Sequence, residues 1–203
     1  MFTGLVRHRA TLISISDDGR SGARRLVLER PQAWTDLRLG DSVAVNGCCL
    51  TVVVLDDASM SFEAGSETIS RTLFGELEAG ATLHIEQALR AGDRMDGHIV
   101  TGHVDGLASV TGTTDVPGGR RIDFAVPDGL AAMLPVKGSV CVDGISLTIA
   151  GDGPGEFTVE LIPETLKATE LSDLAAGDRV HVEVDPLARY AAHWLQATRG
   201  IST

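Results

Sequence analysis

An internal repeat constrains the fold of this chain more than any other feature of its sequence. The residues of the first copy that recur 97 positions later include Ser42, Val43, Val45, Gly47, Leu50, Thr51, Glu67, Thr68, Gly80, His84 and Glu86. Near the start the spacing is 98, which matches Thr3-Gly4 to Thr101-Gly102. A register held over about 85 residues does not arise by chance, and it predicts two copies of one fold.

Each copy contains short stretches in which apolar and polar residues alternate, bounded by Gly, Asp and Pro, a pattern typical of antiparallel strands. The predicted strands include 25–29, 42–45, 50–55, 82–86, 122–126, 158–161 and 179–184. Around six strands in about 90 residues predict a small closed or nearly closed barrel for each copy. The chain is accordingly divided into a barrel over 1–97, a barrel over 98–186 and a tail over 187–203, with the polar stretch 88–97 as linker.

A helix is predicted after the second copy. Asp185 suits its N-cap and Pro186 its first position. A single apolar stripe is formed by Leu187, Tyr190, Ala191, Trp194 and Leu195. Such a helix must pack either on its own barrels or on copies of itself in an oligomer.

Charge and cysteine content exclude several classes of partner and compartment. With 17 basic and 28 acidic residues, a net charge of −11 and a pI near 4.9, the chain is a poor partner for nucleic acid or an anionic membrane. No apolar run approaches the roughly 18 residues that cross a bilayer. The start, Met1-Phe-Thr-Gly-Leu, has no apolar signal region and is interpreted as the beginning of a soluble protein. The three cysteines, two of them adjacent, do not form a disulfide framework, and they predict a reducing cytoplasm.

Two residues with possible chemistry share one position of the repeat. Cys49 and Ser146 are each followed by Leu and then Thr. A thiol and a hydroxyl in matched places could face matched ligands. Each also has a structural interpretation, because a cysteine fits as a small buried residue and a serine hydroxyl can bond to the neighbouring backbone.

Two charged residues break the repeat. Lys137 stands where the first copy has Gly40, and Asp185 stands where it has Ala88. Taken alone, Lys137 could be a turn residue and Asp185 only a helix cap.

Histidines occur in two kinds of place. His98 and His103 lie five residues apart, a poor spacing for one strand face, and no Cys-x-x-Cys accompanies them, so no metal is predicted. His84 and His181 are matched, mid-strand and beside matched glutamates, and they are interpreted as structural.

Several motifs in order resemble the riboflavin synthase family of the alpha-chain type. They are Met1-Phe-Thr-Gly-Leu-Val, Val45-Asn-Gly-Cys-Cys-Leu-Thr-Val, Gly97-His-Ile-Val-Thr-Gly-His-Val-Asp-Gly, Lys137-Gly, Val142-Asp-Gly-Ile-Ser-Leu-Thr and Leu161-Ile-Pro-Glu-Thr-Leu. The resemblance runs from residue 1 to about 190 and includes the repeat. One departure is Asp96, where the family more often has Gly.

The resemblance implies an all-β fold of two tandem six-stranded antiparallel Greek-key-like barrels plus a C-terminal helix, and a homotrimer held by those helices. It implies that two molecules of 6,7-dimethyl-8-ribityllumazine exchange a four-carbon unit, giving riboflavin and 5-amino-6-ribitylaminouracil. Each barrel would bind one lumazine, and the active site would form between the first barrel of one subunit and the second barrel of a neighbour. No cofactor or metal is required, because the substrate is its own electron sink.

The resemblance and the chemistry together suggest roles for five residues. His103 is the candidate for proton transfer, since its ordinary pKa lies near working pH. Ser146 and Cys49 would face the two rings, Lys137 would stabilise negative charge in the second barrel, and Asp185 would orient groups or relay protons.

Substrate binding is predicted to use both copies. The resemblance adds His98, Ser42 and Thr148 as supporting residues. The candidate ring slots are Gly4, Leu5, Val6, Gly102, His103 and Val104, together with Cys49, Leu50, Thr51, Ser146, Leu147 and Thr148. The residues expected to close the sites are Glu63, Ala64, Gly65, Ser66, Glu67 and Thr68, and in the second copy Leu161, Ile162, Pro163, Glu164, Thr165 and Leu166.

Two other functions remain open. A lumazine or flavin carrier of the same family would hold the chromophore without chemistry and would be expected to lose catalytic groups from one copy. A scaffold built from tandem barrels would not need His103 and Lys137 at unmatched positions.

Overall fold

Two closed six-stranded antiparallel barrels and a C-terminal helix make up the chain, as the sequence predicts. The structure, a computed structural model, describes residues 1–17, 22–127 and 129–199. Both barrels have the same strand order around the barrel: the first strand of the copy, the second, the fifth, the fourth, the third and the sixth. In each barrel a three-strand meander returns beside the strand that precedes it, which is a Greek key.

The strands fall close to the predicted stretches. The first barrel contains β1 His8–Asp17, β2 Arg24–Glu29, β3 Ser42–Val45, β4 Cys48–Leu55, β5 Ser59–Ala64 and β6 Thr82–Gln87. The second contains β7 Gly106–Val116, β8 Gly119–Ala125, β9 Ser139–Val142, β10 Ile145–Gly153, β11 Glu156–Leu161 and β12 Arg179–Val184. The helices are α1 Ser66–Arg71, α2 Pro163–Ala168 and α3 Pro186–Arg199.

Irregular pairing lets these short strands curve into barrels. The register shifts between Leu12 and Ser14, Val52 and Val54, Val110 and Gly112, and Ile149 and Gly151. These shifts occur in the equivalent strands β1, β4, β7 and β10. An extra residue in one strand bends it and increases its twist, which closes a small sheet on itself.

Tight hairpins join β3 to β4 and β9 to β10. Asn46 and Gly47 have φ values of 42° and 77°, and Asp143 and Gly144 have 45° and 87°. Two consecutive positive φ values are the type I′ geometry that Asn-Gly and Asp-Gly favour. The two turns also touch, because a Cβ added to Gly47 would lie 2.6 Å from the backbone nitrogen of Gly144.

Each barrel has its own apolar core, and a third small cluster joins them. Phe2, Ala44, Val100 and Cys141 are buried together at the junction. Phe2 and Val100 form an antiparallel bridge, with the Phe2 N–H 2.7 Å from the Val100 carbonyl oxygen. The N-terminal segment and the start of the second copy are thereby held side by side.

Two buried histidines connect the barrels reciprocally, which supports their structural interpretation. His84 accepts at Nε2 from the Glu170 N–H at 2.9 Å, and its Nδ1 lies 3.1 Å from the Asp143 carbonyl oxygen. His181 accepts at Nε2 from the Leu73 N–H at 2.8 Å, and its Nδ1 lies 2.8 Å from the Asn46 carbonyl oxygen. Each ring must be neutral to accept at Nε2 and donate at Nδ1. Burial lowers the pKa of both, to about 4 for His181.

The residue beside each histidine differs between the copies. The Asn46 side-chain oxygen accepts from the His84 N–H at 2.7 Å, and an Asp143 carboxylate oxygen accepts from the His181 N–H at 2.8 Å. Burial raises the pKa of the Asp143 carboxyl from 3.8 to about 7, and the hydrogen bond from His181 opposes that rise. The second copy therefore carries a titrating group where the first has a neutral amide.

Helix α3 begins as predicted. The Asp185 carboxylate accepts from the Leu187 N–H at 2.8 Å, which is an N-cap bond. Leu187, Tyr190 and Trp194 are 69%, 73% and 66% exposed, so the apolar stripe does not pack on the barrels of its own chain. In the described part of the chain, no helix is long and apolar enough to cross a membrane.

We expect Asp143→Asn to stabilise the protein relative to the parent above about pH 4, with the full effect at and above about pH 7. The raised folded-state pKa means that this carboxyl contributes stability fully below about pH 4 and loses it as the pH rises through about 7. Asn keeps the acceptor for the His181 N–H, as Asn46 does for His84. The variant should therefore exceed the parent in free energy of unfolding at pH 8 by about 4 kcal/mol, since the carboxyl pKa rises from 3.8 to about 7 and each pKa unit corresponds to about 1.4 kcal/mol.

The measurement is urea denaturation of both proteins at pH 4 and pH 8. His181 is present in both, so its own titration cancels in the difference. An equal difference at the two pH values would contradict a buried, titrating Asp143.

Candidate functional site

The copies exchange the segments that precede their first strands. The Ser146 N–H in the second barrel donates to the Gly4 carbonyl oxygen at 2.8 Å. The Cys49 N–H in the first barrel donates to the Gly102 carbonyl oxygen, also at 2.8 Å. The predicted ring slots are therefore paired crosswise: the segment at Gly4 with Ser146, and the segment at Gly102 with Cys49.

Packing supports the same crosswise pairing. Val6 packs against the core of the second barrel, and Val104 packs against the core of the first. The segments fit tightly, because a Cβ on Gly4 would lie 2.7 Å from the Ser146 Cβ, and one on Gly102 would lie 2.5 Å from the Cys49 Cβ. Both glycines also have positive φ, 74° and 81°.

Two carboxylates that the sequence analysis did not select as site residues hold these segments. Glu86 accepts from the Thr3 N–H and hydroxyl, each at 2.7 Å, and from the Gly4 N–H at 3.0 Å. Glu183 accepts from the N–H groups of Thr101, Gly102 and His103 at 2.7, 2.8 and 3.1 Å. The sequence signal that could have identified them is their matched position in the repeat. Burial raises the pKa of Glu86, and the bonds from Thr3 and Gly4 oppose the rise.

Ser146 and His98 form a close pair beside the second barrel. His98 Nδ1 lies 2.6 Å from the Ser146 hydroxyl oxygen, whereas His98 Nε2 is buried without a hydrogen-bond partner in the described residues. Burial lowers the pKa of His98, and the charge of Asp185 opposes that shift. A neutral imidazole at this distance can accept the Ser146 hydroxyl proton, so the structure brings together two of the predicted residues, Ser146 and His98, while Asp185 acts on His98 through its charge.

Lys137 lies in a left-handed turn before β9. Its φ is 67°, the equivalent Gly40 has 88°, and its N–H donates to the Ile149 carbonyl oxygen at 2.8 Å. The turn interpretation of Lys137 is thus correct for its backbone, and its side chain is exposed. The N-cap interpretation of Asp185 is likewise correct, and neither observation tests a catalytic role.

The first-barrel site contains Cys49 and His103. Cys49 is half-buried, and His103 is exposed on the segment held by Glu183. Burial raises the pKa of Cys48 to about 12 and raises that of Cys141 as well, so both are inert thiols. Cys49 is the cysteine at the candidate site.

The remaining predicted residues divide by exposure. Four side chains lie in the barrel cores: Leu50, Ala64, Leu147 and Leu161. Those exposed at the surface are Thr51, Gly65, Ser66, Glu67, Thr148, Ile162, Pro163 and Glu164. Those of intermediate exposure are Leu5, Ser42, Glu63, Thr68, Thr165 and Leu166. The two closing segments lead from β5 into α1 and from β11 into α2.

Surface cavities of about 490 and 580 Å³ border the first barrel and the segment after β6. Of the predicted site residues, Leu5 lines the first and Ser42 the second. No group of three metal-ligating side chains occurs within 1–17, 22–127 and 129–199.

Sequence comparison identifies the repeat unit. The profile of the Lumazine binding domain matches the chain twice, at residues 3–88 and 101–185. The riboflavin synthase of Mycobacterium tuberculosis (strain ATCC 25618 / H37Rv) is 38% identical over 201 residues, 97% of this chain and 99% of that protein. The riboflavin synthase of Escherichia coli (strain K12) is 40% identical over 188 residues, 92% and 87% of the two chains.

The fold has close counterparts among solved structures. LumP complexed with riboflavin superposes with a TM-score of 0.81 and 25% identity, over 91% of this chain and 99% of that one. LumP complexed with 6,7-dimethyl-8-(1'-D-ribityl) lumazine gives a TM-score of 0.80 at 24% identity, over the same shares of the two chains.

Two tandem lumazine-binding domains therefore make up this protein. With full-length relatives at this identity, the chain belongs to the riboflavin synthase family of enzymes.

We expect Gly4→Ala and Gly102→Ala to destabilise the protein more than Gly80→Ala. All three have positive φ, which costs an alanine roughly 1–2 kcal/mol. Gly80 has open space around its added methyl group, whereas the other two meet backbone and Cβ atoms closer than 3 Å. That overlap should add roughly 1–3 kcal/mol.

Urea denaturation of the three variants measures these losses, with Gly80→Ala as the control for backbone strain. Equal losses in all three would show that the exchanged segments are loosely held.

Proposed function

We propose that this protein is a riboflavin synthase that converts two 6,7-dimethyl-8-ribityllumazine molecules into riboflavin and 5-amino-6-ribitylaminouracil by transfer of a four-carbon unit. The observation that carries the proposal is the pair of matched sites, each made by a barrel strand of one copy and the exchanged segment of the other. Two equivalent places for a lumazine suit a reaction between two identical molecules.

Identical substrates must nevertheless become donor and acceptor, and three substitutions within the repeat supply that difference. They are Leu5 against His103, Gly40 against Lys137, and Ala88 against Asp185. The backbone is alike at these places, so the difference lies in the side chains. One lumazine must lose a proton from its 7-methyl group, and the other must accept a nucleophile at C7.

The proposed roles are as follows. Ser146, with its hydroxyl proton drawn towards His98, supplies an activated oxygen in the second barrel. Lys137 supplies positive charge near the anion that methyl deprotonation creates. His103 exchanges the proton, Cys49 faces the ring in the first barrel, and Asp185 adjusts the charge around His98.

Assembly and location belong to the same proposal. The exposed stripe of α3 favours association with copies of the chain, and we propose a homotrimer in which a first barrel faces a neighbour's second barrel. We propose a cytoplasmic enzyme without metal or cofactor. We also propose that the first barrel ends at residue 97 and the second at residue 186.

A lumazine or flavin carrier is the second candidate. The similarity to LumP favours a carrier, because the LumP structures hold a lumazine or riboflavin in the same fold. The presence of Cys49, His103, Lys137, Ser146 and Asp185 together favours the enzyme.

Incubation with the lumazine alone separates the candidates. We expect riboflavin to form at about half the rate of lumazine loss without any added cofactor, followed by absorbance and chromatography. Tight binding without riboflavin would indicate a carrier, and absence of binding would exclude both.

We expect Lys137→Ala and His103→Ala to lower kcat by about 10²-fold or more while changing lumazine affinity little, because proton transfer and charge stabilisation act in the transition state. Lys167→Ala and His193→Ala are matched controls at exposed positions. Steady-state kinetics and fluorescence titration measure the two effects. Unchanged kcat in both test variants would remove these residues from the mechanism.

We expect Tyr190→Glu combined with Trp194→Glu to convert a trimer into monomers with little activity. Charge on the exposed stripe opposes its burial, and a site shared between subunits would be lost. Gln196→Glu, on the opposite face of α3, is the control. Light scattering coupled to size exclusion gives the mass. A parent protein that runs as a fully active monomer would contradict the shared site.

A further inference from the structure

We propose that Asp105 and Arg189 form a positioning ion pair that holds the His103 segment against the start of helix α3, and so sets the place of the His103 imidazole during catalysis. The inference rests on the proposed role of His103 and adds two residues that act through it.

The ion pair between Arg189 and Asp105 is bidentate, and it is called the clamp below. Arg189 Nη2 donates to Asp105 Oδ2 at 2.7 Å, and Arg189 Nε donates to Asp105 Oδ1 at 3.2 Å. The same Nη2 lies 3.5 Å from the His103 carbonyl oxygen. A guanidinium that binds both oxygens of a carboxylate fixes orientation as well as distance, which a lysine cannot do.

The Asp105 carboxylate also binds the end of β12. Its Oδ2 accepts from the Val184 N–H at 2.8 Å, and the Asp105 N–H donates to the Val182 carbonyl oxygen at 2.8 Å. Val184 directly precedes Asp185. One carboxylate therefore ties the segment of His103 to the chain position from which Asp185 and α3 begin.

Burial makes this pair more than a solvated surface contact. The side chains of Arg189 and Asp105 are 30% and 18% exposed. Arg189 is thus less exposed than the arginine in most other ion pairs of the described residues. Partial exclusion of water strengthens the attraction and restricts the motion of both groups. His103 itself is exposed, so its backbone must be held if its imidazole is to be placed.

The clamp belongs to the second copy alone. The repeat position of Asp105 is occupied by Arg7 in the first copy, and that of Arg189 by Gly92. Leu5, the counterpart of His103, thus has no such clamp. The unmatched histidine and the unmatched clamp occur together, as a positioning role requires.

The test is a double-mutant cycle. We expect Arg189→Lys and Asp105→Asn each to lower kcat by about 10- to 100-fold, with KM within about threefold of the parent, since small misplacement of a reacting group has effects of this size. Asn keeps an acceptor for the Val184 N–H while removing the charge. In a His103→Ala background, neither substitution should lower kcat further.

Arg9→Lys is the matched control, because it alters another arginine–carboxylate ion pair, the one with Glu170. Asp105→Asn changes no residue of α3, so it separates positioning from assembly, and light scattering should give the parent's mass. The positioning role would be overturned if the two substitutions lowered kcat equally in the parent and His103→Ala backgrounds. It would also be overturned if the parent were active and neither substitution changed its kcat. A parent that makes no riboflavin would instead overturn the proposed function.

Discussion

The exchange of segments between the two copies is the constraint on which the rest of the structure depends. Glu86 and Glu183 each bind several N–H groups of the segment of their own copy in a largely water-excluded place, and that segment then pairs with the barrel of the other copy. A carboxylate bound by two or three N–H donors is strongly oriented, and the donors lose their only good partner if it moves. Each barrel is therefore complete only when the other copy is present and folded.

This exchange explains why the junction between the barrels is so specific. The buried pair of Phe2 and Val100 holds the two exchanged segments together. His84 and His181 link the barrels beside the two touching turns. Each histidine accepts an N–H at Nε2, so protonation removes a bond and places charge in an apolar region. The junction is thus built from neutral rings whose low pKa keeps them neutral at physiological pH.

The sequence predicts the local structure well because its signals are local. Asn46-Gly47 and Asp143-Gly144 specify two-residue hairpins, and Asp185-Pro186 specifies the start of α3. The crosswise pairing could not be predicted in the same way. Gly4 and Gly102 have the same neighbours in sequence, and a repeat does not state which barrel each segment joins. Glu86 and Glu183 bind segments 83 and 81 residues away within their own copies, and no local signal marks such distant contacts although both residues are matched in the repeat.

Asymmetry in this molecule arises on an almost symmetric backbone. Gly40 and Lys137 occupy the same left-handed turn, and a lysine there costs roughly 1–2 kcal/mol that glycine does not. Nothing in the fold of the second barrel requires that side chain, since the first barrel closes without it. Strain retained at an exposed position argues for a function of the side chain rather than of the turn. The same argument applies to His103, which replaces an apolar residue on a segment whose backbone bonds are otherwise repeated. The folded scaffold therefore treats the two sites alike, and we propose that the few side chains that break the repeat distinguish donor from acceptor.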